Sequence, residues 1–291
     1  MDNNVLLTDL LDQGQVVMGG AYDCISAAVC ESAGFPVLML GGAGLSASFL
    51  GLPDVGLLSL GDLIPIVSNI VSSVNIPVVV DIDTGYGNEL NVTRTCERLA
   101  LTGVAAVHLE DQTFPKRCGH MAGKTVIERT PYLSKVRAAV KALEGTKTQL
   151  IARTDSYGTH GLEEAISRCN GALDVGAHIT FAEAPTNRED IEKLGRTVPG
   201  HKMFNLATGG NSPSLTLAEL AELDFNLVSV PGVTFMPAIA AMKETAAAVL
   251  REGSDAPVAK FNMGPRDLFE TVGLKRWLAI EEDVAAWTAS H

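Results

Sequence analysis

"IPVVVDIDTGYGNELNVTRTCERLALTGVAAVHLED", residues 76–111, contains one complete structural unit. Its opening run, "IPVVVDID" (76–83), is apolar without alternation until it ends in Asp81 and Asp83. Such a run suits a strand covered on both faces, as in a parallel sheet. "LNVTRTCERLALTG" (90–103) then follows a helical pattern and closes on Gly103, a residue suited to the left-handed turn after a helix. "AAVHLED" (105–111) is a second apolar run that again ends in acids. Strand, helix and strand in this order predict a parallel β-α-β unit.

The same alternation extends in both directions. Apolar runs stand at 16–20, 37–42, 150–155, 178–183, 202–207 and 227–232, which makes eight with the two above. Between them lie helical stretches such as "DCISAAVCESAG", ending at Gly34, and "GLEEAISRCNGALDVG", with its acids in the first turn. Eight β-α units in a chain of 291 residues predict an α/β fold, a (β/α)8 TIM barrel. A doubly wound open sheet is the structural alternative. No linker or low-complexity segment divides the chain, so we expect a single domain over 1–291. The barrel should occupy 1–253 and a C-terminal helical extension 254–291, with "GPRDLFETVGLKRWLAI" its clearer helix. That surplus must pack on this barrel or on a neighbour.

Composition narrows the function. A net charge of −12 without any block of Lys or Arg argues against nucleic acid or anionic membrane as a partner. No apolar run approaches the length of a membrane span, and "MDNNVLLTDLL" has no basic leader region, so a cytoplasmic protein is expected. Five cysteines cannot close a disulfide framework completely and suggest a reducing compartment. Cys24, Cys30, Cys96 and Cys169 fall in helical segments and read as packed thiols. Cys118 stands apart in "EDQTFPKRCGHMAGK" (110–124), between Lys116-Arg117 and His120. Cations so close in sequence should lower its pKa.

In a barrel of this type the chemistry sits at the C-terminal ends of the strands. Those ends here carry Gly41-Gly42, Asp81 and Asp83, Glu110 and Asp111, Arg153 and Asp155, Glu183 and Asn205. Each acid alone reads as a helix cap or core salt bridge; five consecutive polar strand ends read as one site. Carboxylate oxygens suit Mg²⁺, which binds through one or two carboxylates and keeps several waters. Asp81 and Asp83 at i and i+2 are expected on one face of their strand. An EF-hand is excluded because the twelfth position from Asp81 is Val92 rather than Glu. Cys118 and His120 lack a second pair at zinc-site spacing. "GGAGLSAS" lacks the Gly-Lys-Ser/Thr of a Walker A loop, and its spacing does not fit a dinucleotide fingerprint.

"PKRCGH" resembles the signature of the isocitrate lyase/phosphoenolpyruvate mutase superfamily. The likeness continues through "AYDCISA", "GGAGLSASFLGLPD", "VVVDIDTGYGN", "HLEDQTFPKRCGH", "IARTDS", "FAEAP" and "GPRDLFE", nearly the whole chain. It implies a (β/α)8 barrel whose last helix is exchanged between subunits, a homotetramer built as a dimer of helix-swapped dimers. It also implies Mg²⁺, for which Mn²⁺ can substitute, and a small dicarboxylate substrate. By the same resemblance Asp83 is the direct metal ligand, while Asp81 and Glu110 act through metal-bound water. Arg153 clamps the substrate carboxylate, where a bidentate guanidinium has the advantage over Lys. Gly41, Gly42 and Ala43 offer backbone N–H groups to the same end. Gly119, Glu183 and Asn205 are further contacts, and Arg266 approaches the second carboxylate. Cys118 is the general acid, on a closing loop with Lys116 and His120. Cleavage of a 2-hydroxy acid between C2 and C3 leaves a carbanion that needs a proton, which a thiol can give.

This chain departs from the superfamily's pattern in places. Methylisocitrate lyases carry a tyrosine where Met39 stands, and Ser-Gly-Gly where Gly41-Gly42-Ala43 stands. They also carry an arginine five residues after the strand-eight proline; from Pro231 that place is Met236. A third substrate carboxylate would lie there without a partner, so a malate-type diacid with an alkyl group is expected. Carboxyphosphonoenolpyruvate phosphorylmutases share "PKRCGH" and remain an alternative. Oxaloacetate-cleaving hydrolases remain another, although they tend to carry Ser near the place of Pro231. A binding protein that has lost catalysis is the reading from a different class.

Overall fold

In the computed structural model, which describes residues 6–291, every apolar run becomes a strand. The strands are β1 (Val16–Ala21), β2 (Val37–Leu40), β3 (Val78–Asp81), β4 (Ala106–Leu109), β5 (Gln149–Thr154), β6 (Ile179–Ala182), β7 (His201–Asn205) and β8 (Leu227–Val230). Each pairs in parallel with the next, and β8 returns to β1 through Val16–Leu227 and Gly19–Val230. The sheet is closed, which excludes the open doubly wound alternative. Residues 1–5 of the segment read for a leader lie outside the described residues.

Alternation of side chains sorts the strand residues into two cores. Met18, Met39, Val79, Ala106, Ile151, Ile179, Phe181, Met203 and Leu227 pack together within the barrel, with Leu7 and Leu11 of the Leu7–Leu11 helix. Leu38, Leu40, Val78, Val80, Val107, Leu109 and Leu150 pack with the surrounding helices, among Leu63, Ile70, Cys96, Leu99 and Val136. Two residues further along the inward rows stand Gly41, Asp81, His108, Arg153, Glu183 and Asn205, at the barrel mouth. Apolar strand middles therefore build the floor on which the polar strand ends converge.

Capping fixes the helices where the sequence suggested them. Asp23 accepts a hydrogen bond from the Ser26 N–H to start Cys24–Ser32, and Asn88 accepts from the N–H groups of Leu90 and Asn91 to start Glu89–Ala100. Gly103, beyond the latter, has φ +85°, the conformation its place required.

The extension differs from the barrel. Leu274–Ser290 has no buried residue, and Trp277 and Trp287 are each 62% exposed. The last barrel helix, Phe235–Glu252, buries only Ala248, leaving Met242 and Leu250 in solvent. Among the described residues no helix is long and apolar enough to cross a membrane.

Candidate active site

A cavity of about 300 Å³ opens at the C-terminal ends of the strands. Gly41, Gly42, Ala43, Asp81, Lys116, Cys118, Gly119, His120, Arg153, Glu183, Asn205 and Met236 all line it. Asp83 and Glu110 lie behind this surface and touch it through Lys116 and Arg153. Arg266 does not join them within the chain. It lies on the exposed Pro265–Thr271 helix and pairs with Glu270 at 2.9 Å.

The acidic side is tightly wired. β3 ends at Asp81, and Asp83 beyond it has φ +49°, so the shared face of a strand does not position Asp83 as expected. A turn does so instead: the Asp83 N–H donates to Asp81 Oδ1 (3.0 Å), and the Gly42 N–H donates to Asp81 Oδ2 (3.3 Å). Lys116 Nζ stands 2.8 Å from Asp83 Oδ1 and 2.5 Å from Asp54 Oδ1. A Cβ at Gly42 would lie 3.2 Å from Asp83 Oδ1 and 3.3 Å from Lys116 Nζ, so glycine lets the backbone approach this cluster.

The ionisation of these groups follows from burial and neighbours. Burial, then the Asp81 charge, pushes Asp83 up to about 7 against the pull of Lys116. Asp81 goes the other way: burial would raise it, but His108, Lys116 and Arg153 together hold it far below the usual range. Burial drives Glu110 well above the carboxylate range despite Arg153, and neither of its buried oxygens has a hydrogen bond. The cluster is short of positive charge and consists of hard oxygen donors, which fits a divalent cation such as Mg²⁺. Among the described residues no three His, Cys, Asp or Glu side chains are close enough to hold a metal together. Binding through one or two carboxylates with water completing the shell is the mode Mg²⁺ prefers.

Arg153 is more committed than a free clamp. Its Nε and Nη2 donate to Asp155 at 2.7 and 3.0 Å, leaving Nη1 toward Glu183 at 3.3 Å. With the Nε/Nη2 edge taken by Asp155, the Nη1 end is the part of the guanidinium not committed to that carboxylate.

Cys118 requires a correction. Lys116 turns to the acids and Arg117 out toward the Ala122 carbonyl, so its sequence neighbours do not acidify the thiol. Burial raises its pKa, against the His120 N–H and Arg153, which lower it. It faces the cavity as a protonated thiol, the form a proton donor needs. Gly119 presses on the barrel wall so closely that a Cβ there would stand 2.7 Å from Glu183 Cγ. His120 Nε2 lies 3.3 Å from Glu183 Oε1, and the Asn211 N–H donates to His120 Nδ1 (3.1 Å), so the loop is closed over the cavity.

The opposite wall is apolar. Ala21, Met39, Pro231, Phe235 and Met236 line it, with Tyr22 edge-on to Phe235 at 6.3 Å. The Lys and Arg side chains that line the cavity, Lys116 and Arg153, both belong to the other side. Met236 is 53% exposed, so a third carboxylate at this rim would keep some water but find no cation.

Sequence reading missed Asp54 and His108. Asp54 sits in a loop without periodicity, which leaves only its Gly-Pro surroundings as a signal. His108 was legible: two residues before Glu110, it shares the inward face, and its Nδ1 stands 3.5 Å from Asp81 Oδ1.

A family model for phosphoenolpyruvate phosphomutase matches residues 7–250. A 2,3-dimethylmalate lyase of Eubacterium barkeri is 34% identical over 98% of this chain and 99% of its own. A chloroplastic carboxyvinyl-carboxyphosphonate phosphorylmutase of Arabidopsis thaliana is 35% identical over 93% of this chain and 81% of its own. Among solved structures, oxaloacetate acetylhydrolase with 3,3-difluorooxalacetate superposes with a TM-score of 0.92 at 34% identity, covering 96% of each chain. Phosphonopyruvate hydrolase with oxalate and Mg²⁺ has a TM-score of 0.86 at 27% identity, covering 97% of this chain and 99% of its own.

Proposed function

Because the chain belongs to the phosphoenolpyruvate phosphomutase family, within the isocitrate lyase superfamily of lyases and mutases, we propose that it is a Mg²⁺-dependent carbon–carbon lyase. Its substrate in this reading is an alkylated 2-hydroxy dicarboxylate of malate type, cleaved to a 2-oxo acid such as pyruvate and a carboxylic acid. The observation that carries it is the divided cavity, charged around Asp81, Lys116 and Arg153, apolar around Met39, Phe235 and Met236, with a protonated Cys118 over it.

Asp83, with Asp81 and Glu110 beside it, would hold Mg²⁺. Bound there, the metal would act as a Lewis acid toward the oxygen that becomes the 2-oxo group. Arg153, itself held by Asp155 through Nε and Nη2, orients the substrate carboxylate with its remaining in-plane N–H groups. The alkyl substituent rests against the apolar wall. As the C2–C3 bond breaks, the 2-hydroxyl gives its proton to water, the bond's electrons pass to the C3 carbon, and the Cys118 Sγ–H protonates that carbon; solvent returns a proton to the thiolate after product release. The closed loop keeps bulk water from competing. The mutase-type relative shares the family, and the hydrolase's likeness supports an oxaloacetate-cleaving reading as second. Pro231 counts against the latter, since it brings neither hydroxyl nor N–H to the wall. NMR of the protein with Mg²⁺ and alkylated malates, methylisocitrate, oxaloacetate or phosphonopyruvate separates these. Pyruvate plus a monocarboxylic acid from an alkylmalate supports the lyase; oxalate plus acetate alone overturns it.

The exposed apolar side chains of Leu274–Ser290 and Phe235–Glu252 support burial of the extension on a second copy, in a helix-swapped tetramer. Light scattering at micromolar concentration should give a tetramer. A stable, active monomer lacking residues after Gly264 would contradict it. The five cysteines are free thiols.

A further inference from the structure

Two lysines bracket Cys118, one on each limb of its loop. Lys116 ties the first limb to Asp54 and Asp83. Lys124, on the second limb, donates to the Gly119 carbonyl and to Asp155 Oδ1 (2.9 Å). Its side chain is 8% exposed and that of Asp155 fully buried. Asp155 belongs to the barrel rather than the loop: its N–H donates to Asp111 Oδ1 (2.8 Å), and its carboxylate holds Arg153 at 2.7 and 3.0 Å. One carboxylate thus fixes both the guanidinium facing the ligand and the lysine that grips the peptide following Cys118–Gly119.

We propose that Lys124 is a positioning residue, which holds Cys118 over the cavity by pinning the Gly119 carbonyl to Asp155. The proposal rests on the reading of Cys118 as proton donor. The hydrogen bonds nearer the loop's base cannot substitute for Lys124. Gln112 Nε2 donates to the Arg117 carbonyl (2.8 Å) and Gln112 Oε1 accepts from the Arg117 N–H (3.0 Å), both before Cys118. Past Cys118, His120 is held by Asn211 and Glu183, which leaves the Gly119 carbonyl to Lys124. Removing the ammonium should free this peptide and leave the Arg153–Asp155 pair intact, so proton delivery suffers more than binding.

The test compares the wild-type protein with Lys124→Met. Alkylation of Cys118 by iodoacetamide is followed by peptide mass spectrometry, with half-buried Cys24 as internal control. Cys118 should react about tenfold or more faster, while Cys24 keeps its rate. Turnover of the alkylmalate should fall about 10–100-fold, the usual weight of a buried charge-assisted hydrogen bond. Pyruvate affinity should change less than about threefold, since Arg153 keeps its partner. Lys124→Arg, which retains a charged donor, should bring the Cys118 rate back toward wild type. Lys124→Gln, also uncharged, gives the same reading if the Met variant folds poorly. An unchanged Cys118 rate, or equal acceleration of Cys118 and Cys24, overturns the proposal. The alkylation arm uses no substrate, so it stands or falls separately from the assignment as a lyase.

Discussion

From β3 to β6 the barrel mouth presents Asp81, Lys116, Arg153 and Glu183, with Asp83 and Glu110 behind; from β8 to β2 it presents Ala21, Met39, Pro231, Phe235 and Met236. Both sides come from the same repeated unit, a buried strand followed by a loop. On the first side the charged groups are buried, and burial together with neighbours a few ångströms away drives Asp81 and Asp83 in opposite directions. On the second no cation is present. In the proposed reaction such a site would separate two tasks, with the charged side taking carboxylate and oxo groups and the apolar side measuring the substituent.

The strongest challenge to that division is Asp83→Ala. Loss of the metal's electrostatic support should lower turnover on the order of 10⁴-fold, with Asp81→Ala milder. Calorimetry should show Mg²⁺ binding lost with it. Full activity in EDTA would remove the metal from the charged side altogether.

Next in size is Cys118→Ser, where a hydroxyl replaces a far stronger acid. Turnover should fall roughly 10³-fold, within the range of a positioned proton donor. Pyruvate should still bind, and exchange of the product acid's α-protons with deuterium should stop. Near wild-type turnover would leave Cys118 a loop residue only.

Met236→Arg blurs the division by placing a cation on the apolar wall. Alkylmalate turnover should drop about tenfold, in line with the loss of a small apolar contact, while methylisocitrate gains. Specificity that does not move would mean the substituent lies elsewhere.

The smallest effect concerns acid stability, to which the apolar side contributes nothing. Asp155 is fully buried, which alone would raise its pKa, yet Arg153 and Lys124 hold it at about 2. Its unfolded value is about 3.9. The stabilisation is therefore complete above pH about 5 and lost as pH falls through about 2, a change of about 2–3 kcal/mol. Urea midpoints measured across that window should show a step that Asp155→Asn lacks.

Strand positions were legible because apolar runs without alternation must be covered on both faces, while closure of the sheet, rather than an open doubly wound arrangement, came from the structure. Their place at the C-terminal strand ends carried Asp81, Arg153, Glu183 and Asn205 to one mouth, and the i, i+2 rule was applied to Asp81 and Asp83. It failed for Asp83, where the strand had already ended and a left-handed turn took over. Lys116 and Cys118 show a second limit. Their adjacency in sequence suggested an acidified thiol, but a lysine side chain reaches far enough to leave its neighbours, and Lys116 goes to Asp54 and Asp83. Arg266 shows a third, since its helix makes few contacts with the barrel of its own chain.

By itself the sequence determined the barrel, the family motif, and the set of polar residues at the strand ends. Those depend on periodicity and residue type, which are local. Only the tertiary structure decided which carboxylate each cation serves, that Cys118 remains protonated, and that Asp155 links Arg153 to Lys124. Those depend on burial and on distances of a few ångströms between residues far apart in the chain. At that range desolvation and Coulomb terms change steeply with position, and order along the chain does not specify them.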